Sequence, residues 1–475
     1  MIIRKIYFWK RIWCDTFHLT PLWPDINLEY PVTYFIGYLK TQIDRRIFLF
    51  YRNIMEPFNL YLMDMSHADN TSGVDRYMHT LLKGLEAYAH IKVYWIHLRH
   101  DTTILFHYEE RTEFYTKITI PLPQQFHEII SQKFWINKYN EQIYRIAHHL
   151  FEEKENCILH IHTLNLIDLA LYIKTHIACK IITHLHCIPW KDSYNRDKNK
   201  FNELFTLQLT KGKSLTRKRN KFLTNNSELQ SYTEADIIIC VTNCAKEFLQ
   251  NTMGIRQNKI KVISNGINDF KSKKSDLTKN NNGILKMLYV GVLSESKGLS
   301  YILEAMRIVQ RKGYAISLTI AGKVHPLQAF DIKEKNRDLL LNVTGRIPFE
   351  ELSVYYRESD VGVIASLQEQ SSYVAIEMAM FGLPVITTAV DGLDEIFTDN
   401  VNALKVNTLF SKARGLTVDT VQLAAKIIFL IENKKIREQL SLNVRRLYET
   451  ELTLDRMMKQ TVEVYKNITK EINHV

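Results

Sequence analysis

Residues 361–388 read VGVIASLQEQSSYVAIEMAMFGLPVITT, and this stretch decides the fold class. It opens with Val361 to Ala365 and closes with Pro384 to Thr388, two short apolar runs typical of strands that are buried on both faces of a parallel sheet. Between them the sequence predicts an apolar helix from Val374 to Phe381 that ends at a glycine. Strand, helix and strand in so short a space predict a βαβ unit with a right-handed crossover.

The same alternation of strands and helices continues on both sides of this unit. Two strand series of similar size predict an α/β protein in which two doubly wound Rossmann-like domains face each other across a cleft. Ligands are expected at the carboxyl ends of the strands. The predicted parts are a basic aromatic extension at 1–54, an N-terminal domain at 55–267, a C-terminal domain at 268–450 and a tail helix at 451–475 that returns to the N-terminal domain.

Composition excludes several classes of protein. Hydrophobic residues make up 46% of the 475 residues and charged residues 24%, which argues against a disordered, collagen-like or coiled-coil chain. The sequence contains no run of 18 apolar residues, so we expect no membrane-spanning helix. Six cysteines in so long a chain do not form a disulfide framework, and we expect a reducing cytoplasm, with Cys240 and Cys244 as buried thiols.

The net charge of +11 is concentrated in two segments. Residues 1–54 carry eight Lys or Arg against four Asp or Glu, and residues 190–222 carry ten against three. No recognised nucleic-acid-binding domain accompanies them, so an anionic acceptor or a membrane face is the better interpretation. The aromatic residues of 1–54, among them Trp9 and Trp13, suit an interfacial anchor. The alternative is that this extension is a translation artefact and that Met55 is the natural start; the sequence leaves both open.

Three groups of residues are candidates for ligand binding. Glu369 and Glu377 are eight residues apart, so one precedes the helix and the other lies inside it, where carboxylates can accept hydrogen bonds from sugar hydroxyls. The alternative is a pair of solvated acids. The N–H groups of Ser372 and Tyr373 at the start of this helix suit an anion. In the second group, the turn from Gly291 to Gly298 includes Lys297 and can approach phosphates.

The third group consists of histidines on two adjacent predicted strands. His160 and His162 alternate on one strand, and His184 and His186 alternate on the next. Because no His-x-x-Glu or Asp-x-Asp sequence accompanies them, we expect the first three to be core or loop residues and not metal ligands. His186 lies nearest the carboxyl end of its strand and is the best candidate for the cleft.

From about residue 60 to its end, the chain resembles a retaining GT-B glycosyltransferase of family 4, the glycosyl transferases group 1 type. Nine short segments follow one another in the order of that family. They are Gly73 to Arg76, Ile182 to His186, Val241-Thr242, Ile263 to Asn268, Gly291 to Gly298, Ile320 to Gly322, Val343 to Gly345, Glu369 to Glu377, and Gly382 to Val385.

The resemblance implies a metal-independent enzyme of the EC 2.4 type that moves a sugar from a nucleotide-sugar donor to an acceptor hydroxyl with retention. It implies polysaccharide or glycoconjugate biosynthesis, no cofactor, and an acceptor that is anionic or lipid-linked, with the enzyme cytoplasmic or peripheral at the inner membrane face. The catalytic residues implied are His186 and Glu369. The donor-binding residues implied are Gly73, Gly291, Lys297, Gly345, Arg346, Ser372, Tyr373 and Glu377. The variable loops expected to form the acceptor site are residues 100–150 and 187–230.

Three departures from the family pattern leave alternatives open. Val292 stands where the family has an arginine for the diphosphate, and Asp391-Gly392 stands where it has two glycines. The paired glycines of the N-terminal loop are reduced to Ser72-Gly73. A catalytically weakened binding subunit of a glycosyltransferase complex is therefore the alternative function. A nucleotide-sugar epimerase fits the complete series of motifs less well.

Overall fold

The computed structural model describes most of the chain from residue 57 onward. The predicted extension at 1–54 and the basic segment at 190–222 lie outside the described residues. The described residues are 57–67, 73–101, 103–122, 133–151, 156–188, 227–270, 283–411 and 414–472.

The N-terminal half contains an eight-stranded sheet with the order β3-β4-β2-β1-β5-β6-β7-β8. Only β3 runs antiparallel to its neighbour; the other neighbouring strands are parallel. Its central strands are apolar on both faces, because helices cover both sides. The strands are β1 (Phe58–His67), β2 (Ile91–His100), β3 (Tyr108–Arg111), β4 (Tyr115–Pro121), β5 (Cys157–Ile161), β6 (Cys179–Leu185), β7 (Ile237–Cys240) and β8 (Ile260–Val262).

The C-terminal half contains a six-stranded parallel sheet with the order β11-β10-β9-β12-β13-β14, and a separate hairpin formed by β15 and β16. The strands are β9 (Leu285–Val290), β10 (Ile316–Ala321), β11 (Leu340–Gly345), β12 (Val361–Ile364), β13 (Val385–Thr388), β14 (Leu404–Val406), β15 (Thr408–Ser411) and β16 (Gly415–Val418). The two separate and mainly parallel sheets confirm the predicted α/β class with two doubly wound halves.

Helices connect and cover the strands. In the N-terminal half they are α1 (Gly73–Leu85), α2 (Lys133–Ala147), α3 (Ile167–Lys174), α4 (Ser227–Glu234) and α5 (Asn243–Glu247). In the C-terminal half they are α6 (Leu299–Arg311), α7 (Pro326–Lys335), α8 (Phe349–Glu358), α9 (Tyr373–Phe381), α10 (Asp391–Ile396), α11 (Thr420–Glu432), α12 (Lys434–Glu451) and α13 (Leu454–Ile472).

The chain passes between the two halves at two adjacent points. Ile267 N–H donates to the carbonyl of Leu452, and Leu454 N–H donates to the carbonyl of Ile267. The Tyr448 hydroxyl also donates to the carbonyl of Ile267, at 2.9 Å. After this crossing α13 packs on β5, β6 and α1 of the N-terminal half. The two crossings of the chain lie side by side, which is the arrangement expected of a hinge between the two halves.

Two expectations about the N-terminal half need correction. Residues 100–150 are not mainly loops, because they include β3, β4 and α2. The sequence of β3, Tyr-Glu-Glu-Arg, has no apolar alternation, since this edge strand is largely exposed. Cys240 is a buried thiol as expected, but Cys244 is only partly buried, because it lies in the first turn of α5, directly after the exposed residue Asn243.

Candidate functional site

The carboxyl ends of β9 and β12 form the crevice of the C-terminal sheet. The chain leaves β9 towards β10 on one side and returns to β12 on the other, so the strand order switches here. A cavity of about 50 Å³ lies at this point. Its polar and glycine lining includes Gly291, Lys297, Ser366, Glu369 and Ser372. The structure therefore brings together four of the site residues that the sequence predicted.

Glycines allow the backbone to pack closely around this cavity. Gly298 has a φ of +72°, and a Cβ there would lie 1.9 Å from the carbonyl oxygen of Ala365. A Cβ at Gly322 would lie 1.9 Å from the carbonyl oxygen of Gly291. Any side chain at these two positions would displace backbone at the ends of the strands.

Helix α9 begins at the cavity. The Ser372 hydroxyl caps it by accepting a hydrogen bond from Ala375 N–H at 3.2 Å. The amides of the first turn have no acceptor within the helix, so they favour an anion at this end. Gly382 ends the helix in the left-handed conformation, with a φ of +66°. Tyr373 is buried here, and burial raises the pKa of its hydroxyl.

Glu377 lies one turn further along α9 and is 1% exposed. The interpretation of Glu377 as a solvated acid is therefore wrong. Its Oε2 accepts a hydrogen bond from the Tyr356 hydroxyl at 2.6 Å, and its Oε1 accepts one from the Arg76 guanidinium. Burial and the adjacent Glu377 carboxylate both raise the pKa of Tyr356. A buried carboxylate needs such partners, because an unpaired charge in the interior is strongly unfavourable.

Lys297 and Glu369, two predicted donor-site residues, form an ion pair with each other. Glu369 lies in the loop before α9, as the spacing predicted. Its backbone carbonyl accepts a hydrogen bond from Gly392 N–H at 2.8 Å. Asp391, which replaces the first of the two family glycines, has a φ of +42°. Glycine adopts such a positive φ without strain, which explains why the family pattern has glycine at this position.

Three further residues of the predicted donor site, Gly345, Arg346 and Gly73, do not line the cavity. Gly345 ends β11 with a φ of +72°, and its carbonyl accepts a hydrogen bond from Gly322 N–H at 3.0 Å. Arg346 follows it and is exposed. Gly73 is the exposed first residue of α1 in the opposite half. Ser72 lies outside the described residues.

Arg76 reaches across from α1 to the C-terminal half, a role that sequence reasoning missed. Its guanidinium pairs with Glu377 and lies 4.7 Å from the centroid of the Tyr373 ring. Burial alone would lower the pKa of Arg76, but the Glu377 carboxylate raises it. The segment Gly73 to Arg76 is part of the family pattern, and that was the available signal. A contact between residues so far apart in sequence leaves no local trace.

A second contact between the halves lies beside the Glu369 loop. The Thr242 hydroxyl donates to Gln370 Oε1 at 3.0 Å, and the Glu395 carboxylate accepts from Asn243 N–H at 2.7 Å. A Cβ at Gly392 would lie 1.7 Å from the carbonyl oxygen of Gln370. The loop that carries Glu369 is therefore held by both halves.

The four histidines form one cluster at the carboxyl ends of β5 and β6. His162 Nδ1 lies 3.1 Å from His186 Nε2, and His184 Nδ1 lies 3.3 Å from His160 Nε2. His160, His162 and His184 are buried, whereas His186 is partly exposed at the surface of the cleft. Burial lowers the pKa of His160 and of His186 to about 3, and that of His162 and His184 well below its usual value.

Three of these histidines also offer nitrogen atoms within 4.8 Å of one another. This grouping has the composition of a metal site. Both ring nitrogens of His160 have partners, in Tyr465 and His184. Nε2 of His162 and Nε2 of His184 are buried and have no hydrogen-bond partner among the described residues. Their burial agrees with the expectation of core histidines.

Comparisons with known proteins identify the class. Residues 71–269 match the family described as "Glycosyltransferase Family 4", and residues 269–447 match the family described as "Glycosyl transferases group 1". The chain is 17% identical to a sucrose-phosphate synthase from Thermosynechococcus elongatus (TM-score 0.66; 87% of this chain and all of that one covered). It is 15% identical to Anabaena HepE, solved with UDP-glucose (TM-score 0.57; 85% and 98% covered).

Curated relatives match over shorter lengths. An uncharacterized 41.2 kDa protein from the cps region of Klebsiella pneumoniae is 31% identical over 160 residues, which are 32% of this chain and 43% of that protein. The capsular polysaccharide biosynthesis glycosyltransferase CapM of Staphylococcus aureus is 25% identical over 255 residues, 49% and 62% of the two chains. The matches thus span about half of the length of these relatives.

The two sheets, the crevice and the structural neighbours define a GT-B protein. The two family matches meet at residue 269, close to the hinge at Ile267, and together span residues 71–447. The chain belongs to the group 1 glycosyltransferases. Within the described residues, no helix combines the length and apolar character needed to cross a membrane.

Proposed function

We propose that the protein transfers a glycosyl group from a nucleotide sugar to an acceptor hydroxyl, with retention and without a divalent metal on the diphosphate. The observation that carries the proposal is Glu377, a buried carboxylate at the strand-order switch of the C-terminal sheet. In this position its oxygens can accept hydrogen bonds from the ribose hydroxyls of a nucleotide. The neighbour HepE, solved with UDP-glucose, supports a nucleotide-sugar donor.

The diphosphate would lie between the Gly291 turn and the first turn of α9. There the amides of α9 and the ammonium of Lys297 stabilise the negative charge that develops on the leaving group. The cavity of about 50 Å³ is small beside the 300 Å³ or more of typical ligand pockets. A donor that enters here would have to separate Lys297 from Glu369, which both line the cavity. A nucleotide that binds Glu377 through its ribose would also have to displace Arg76 from that carboxylate.

Glu369 and His186 would position the donor sugar from opposite sides of the cleft. Glu369, once released by Lys297, can accept hydrogen bonds from sugar hydroxyls. His186 is neutral at pH 7 because burial lowers its pKa to about 3, so it can donate or accept a hydrogen bond without bringing charge to the sugar. Rotation at the Ile267 hinge would close the halves and exclude water from the reaction.

The acceptor is proposed to be an anionic or lipid-linked glycan intermediate at a cytoplasmic membrane face. The basic segments at 1–54 and 190–222 motivate this part of the proposal through their charge alone. The relative CapM, named for capsular polysaccharide biosynthesis, supports a role in polysaccharide assembly.

The test is a screen of UDP-, GDP- and ADP-sugars for release of nucleoside diphosphate, with the product anomer determined by NMR. We expect turnover with one donor class and retained anomeric configuration. Glu377→Ala should abolish donor binding, whereas Glu358→Ala, an exposed glutamate at the end of α8, should not. Donor binding without any turnover, and turnover only with a co-purified transferase, would favour the alternative of a binding subunit, which Val292 motivates.

A further inference from the structure

We propose that Arg76 is a diphosphate-binding residue, which exchanges Glu377 for the donor diphosphate when a nucleotide binds. The inference rests on the proposed function and names a contact that the predicted donor site did not include. Three observations support it: the charges around the crevice, the position of the Arg76 guanidinium, and its ion pair with Glu377.

The crevice is short of positive charge for a diphosphate. Among the described residues that line the cavity, Lys297 alone is cationic, and Glu369 already pairs with it. Val292 follows the Gly291 turn and is 48% exposed, but its side chain offers neither charge nor hydrogen bond. Two phosphates that share one lysine and the helix amides would keep much of their charge unpaired.

Arg76 is a cation that lies beside the start of α9. Its guanidinium is 4.7 Å from the ring of Tyr373, the first residue of that helix. Glu377, its ionic partner, is about one helical turn, or about 5.4 Å, further along. A change of side-chain rotamer moves a guanidinium over such a distance. Arg76 can therefore reach either the Glu377 carboxylate or an anion at the first turn of α9.

Nucleotide binding provides the reason for the exchange. Ribose hydroxyls that donate hydrogen bonds to Glu377 would compete for the Oε1 atom that now accepts a hydrogen bond from Arg76. The Arg76 guanidinium is charged at physiological pH, and its side chain is 39% exposed, so once displaced it can turn towards another anion. The diphosphate is the anion that the same ligand brings, and its oxygens match the planar guanidinium.

The exchange also links the ligand to the relative position of the two halves. Arg76 belongs to α1 of the N-terminal half, whereas the α9 amides and Lys297 belong to the C-terminal half. A diphosphate held by all three would stabilise the closed cleft. A nucleoside without phosphates would only compete with Arg76 for Glu377.

This difference between ligands gives the test. Titration calorimetry measures the affinities of uridine, guanosine and adenosine and of their diphosphates for the wild-type protein, Arg76→Ala, Arg76→Lys and, as control, Arg311→Ala, an exposed arginine. We expect Arg76→Ala to weaken diphosphate binding about 10- to 100-fold, the effect of losing a charged hydrogen bond. Nucleoside binding should stay unchanged or become tighter, because Glu377 is released.

A second variant tests the charge itself. Val292→Arg in the Arg76→Ala protein places a guanidinium on the Gly291 turn, and it should recover at least tenfold of the lost diphosphate affinity. The diphosphate affinity of Arg76→Lys should lie between those of wild type and Arg76→Ala. If Arg76→Ala does not fold, a weakened diphosphate affinity of Arg76→Lys supports the inference, and an unchanged affinity contradicts it. Circular dichroism checks the fold of each variant.

The possible outcomes separate this inference from the proposed function. Diphosphate binding by Arg76→Ala as tight as wild type, or tighter, would show that Arg76 only occupies Glu377, and would overturn the inference alone. Equal losses for nucleoside and diphosphate would make Arg76 a structural residue and also overturn it. A wild-type protein that binds no nucleoside diphosphate would remove the proposed function, and this inference with it.

Discussion

The hydroxyl of Tyr465 lies 2.8 Å from Nδ1 of His160, and the two side chains are buried together in the N-terminal half. Tyr465 belongs to α13, which follows the crossing at Ile267 and Thr453. Helix α13 is thus attached to the centre of the sheet that carries the histidine cluster. This contact fixes one side of the hinge.

Tyr465→Phe should lower the free energy of unfolding by about 1–3 kcal/mol, because it leaves a buried histidine nitrogen without its partner. Urea denaturation followed by circular dichroism measures the change. The matched control is Tyr314→Phe, which loses a hydrogen bond to Glu432 at the surface and should change stability by less than about 0.5 kcal/mol. Equal effects in the two variants would contradict a special role for the buried pair.

Alanine substitutions at Gly298 and Gly313 distinguish the cost of a positive φ from the cost of steric overlap at the Cβ position. Both glycines have positive φ values, +72° and +87°, but a Cβ at Gly298 would lie 1.9 Å from Ala365 O, whereas a Cβ at Gly313 would meet nothing within 4 Å. Alanine at either position pays the left-handed penalty of about 1–2 kcal/mol. We expect Gly298→Ala to lose at least about 2 kcal/mol more than Gly313→Ala, because backbone must move.

Urea unfolding of both variants measures this difference. Gly298→Ala should also weaken nucleotide binding, since the displaced backbone carries Lys297, while Gly313→Ala should bind normally. Similar stability losses in the two proteins would show that the close approach to Ala365 is not limiting.

Helix α9 shows what the sequence could predict. Its apolar run, the serine before it and the glycine after it are local signals, and the structure places the helix within one residue of the predicted start. The position of Glu369 before the helix and of Glu377 inside it follows from spacing alone. An α/β protein with two doubly wound halves likewise follows from the repeated alternation of strands and helices, whereas the GT-B class comes from the resemblance of the motifs to the family.

Two features could not be predicted because their causes are not local. The partners of Glu377 come from α8 and from α1, and neither Tyr356 nor Arg76 is marked by its neighbours in sequence. Strand β3 is polar and exposed, so it lacks the apolar alternation by which strands are recognised. In both cases tertiary contacts decide, and a single sequence does not record them.

Removal of metal ions should leave transfer unchanged. With Lys297 and the α9 amides at the diphosphate, EDTA followed by dialysis is expected to change turnover by less than about twofold. Initial rates with the preferred donor, before and after treatment, measure this. Lost turnover that Mg²⁺ or Mn²⁺ restores would contradict the proposed metal independence. Lost stability that Zn²⁺ restores would instead indicate a metal at the histidine cluster.

The histidine cluster predicts how stability depends on pH. Burial lowers the pKa of His160 and His186 to about 3 and lowers those of His162 and His184 well below 6.5. Above about pH 7.5 these histidines are almost fully neutral in the folded and the unfolded protein, so they contribute little pH dependence. Below pH 6.5 the unfolded chain binds protons that the folded protein does not bind. The free energy of unfolding therefore falls as the pH falls, by up to about 1.4 kcal/mol per pH unit for each histidine.

His184→Leu tests this dependence within one variant. The substitution removes one of the four groups, so the slope of the free energy of unfolding against pH should decrease by about 1 kcal/mol per pH unit between pH 5.0 and 6.5. Carboxyl groups begin to titrate near pH 5, but the two proteins have the same carboxyl groups, so this contribution cancels in the difference between their slopes. Urea denaturation at intervals of half a pH unit gives both slopes. Equal slopes would mean that His184 is protonated in the folded protein, contrary to its burial.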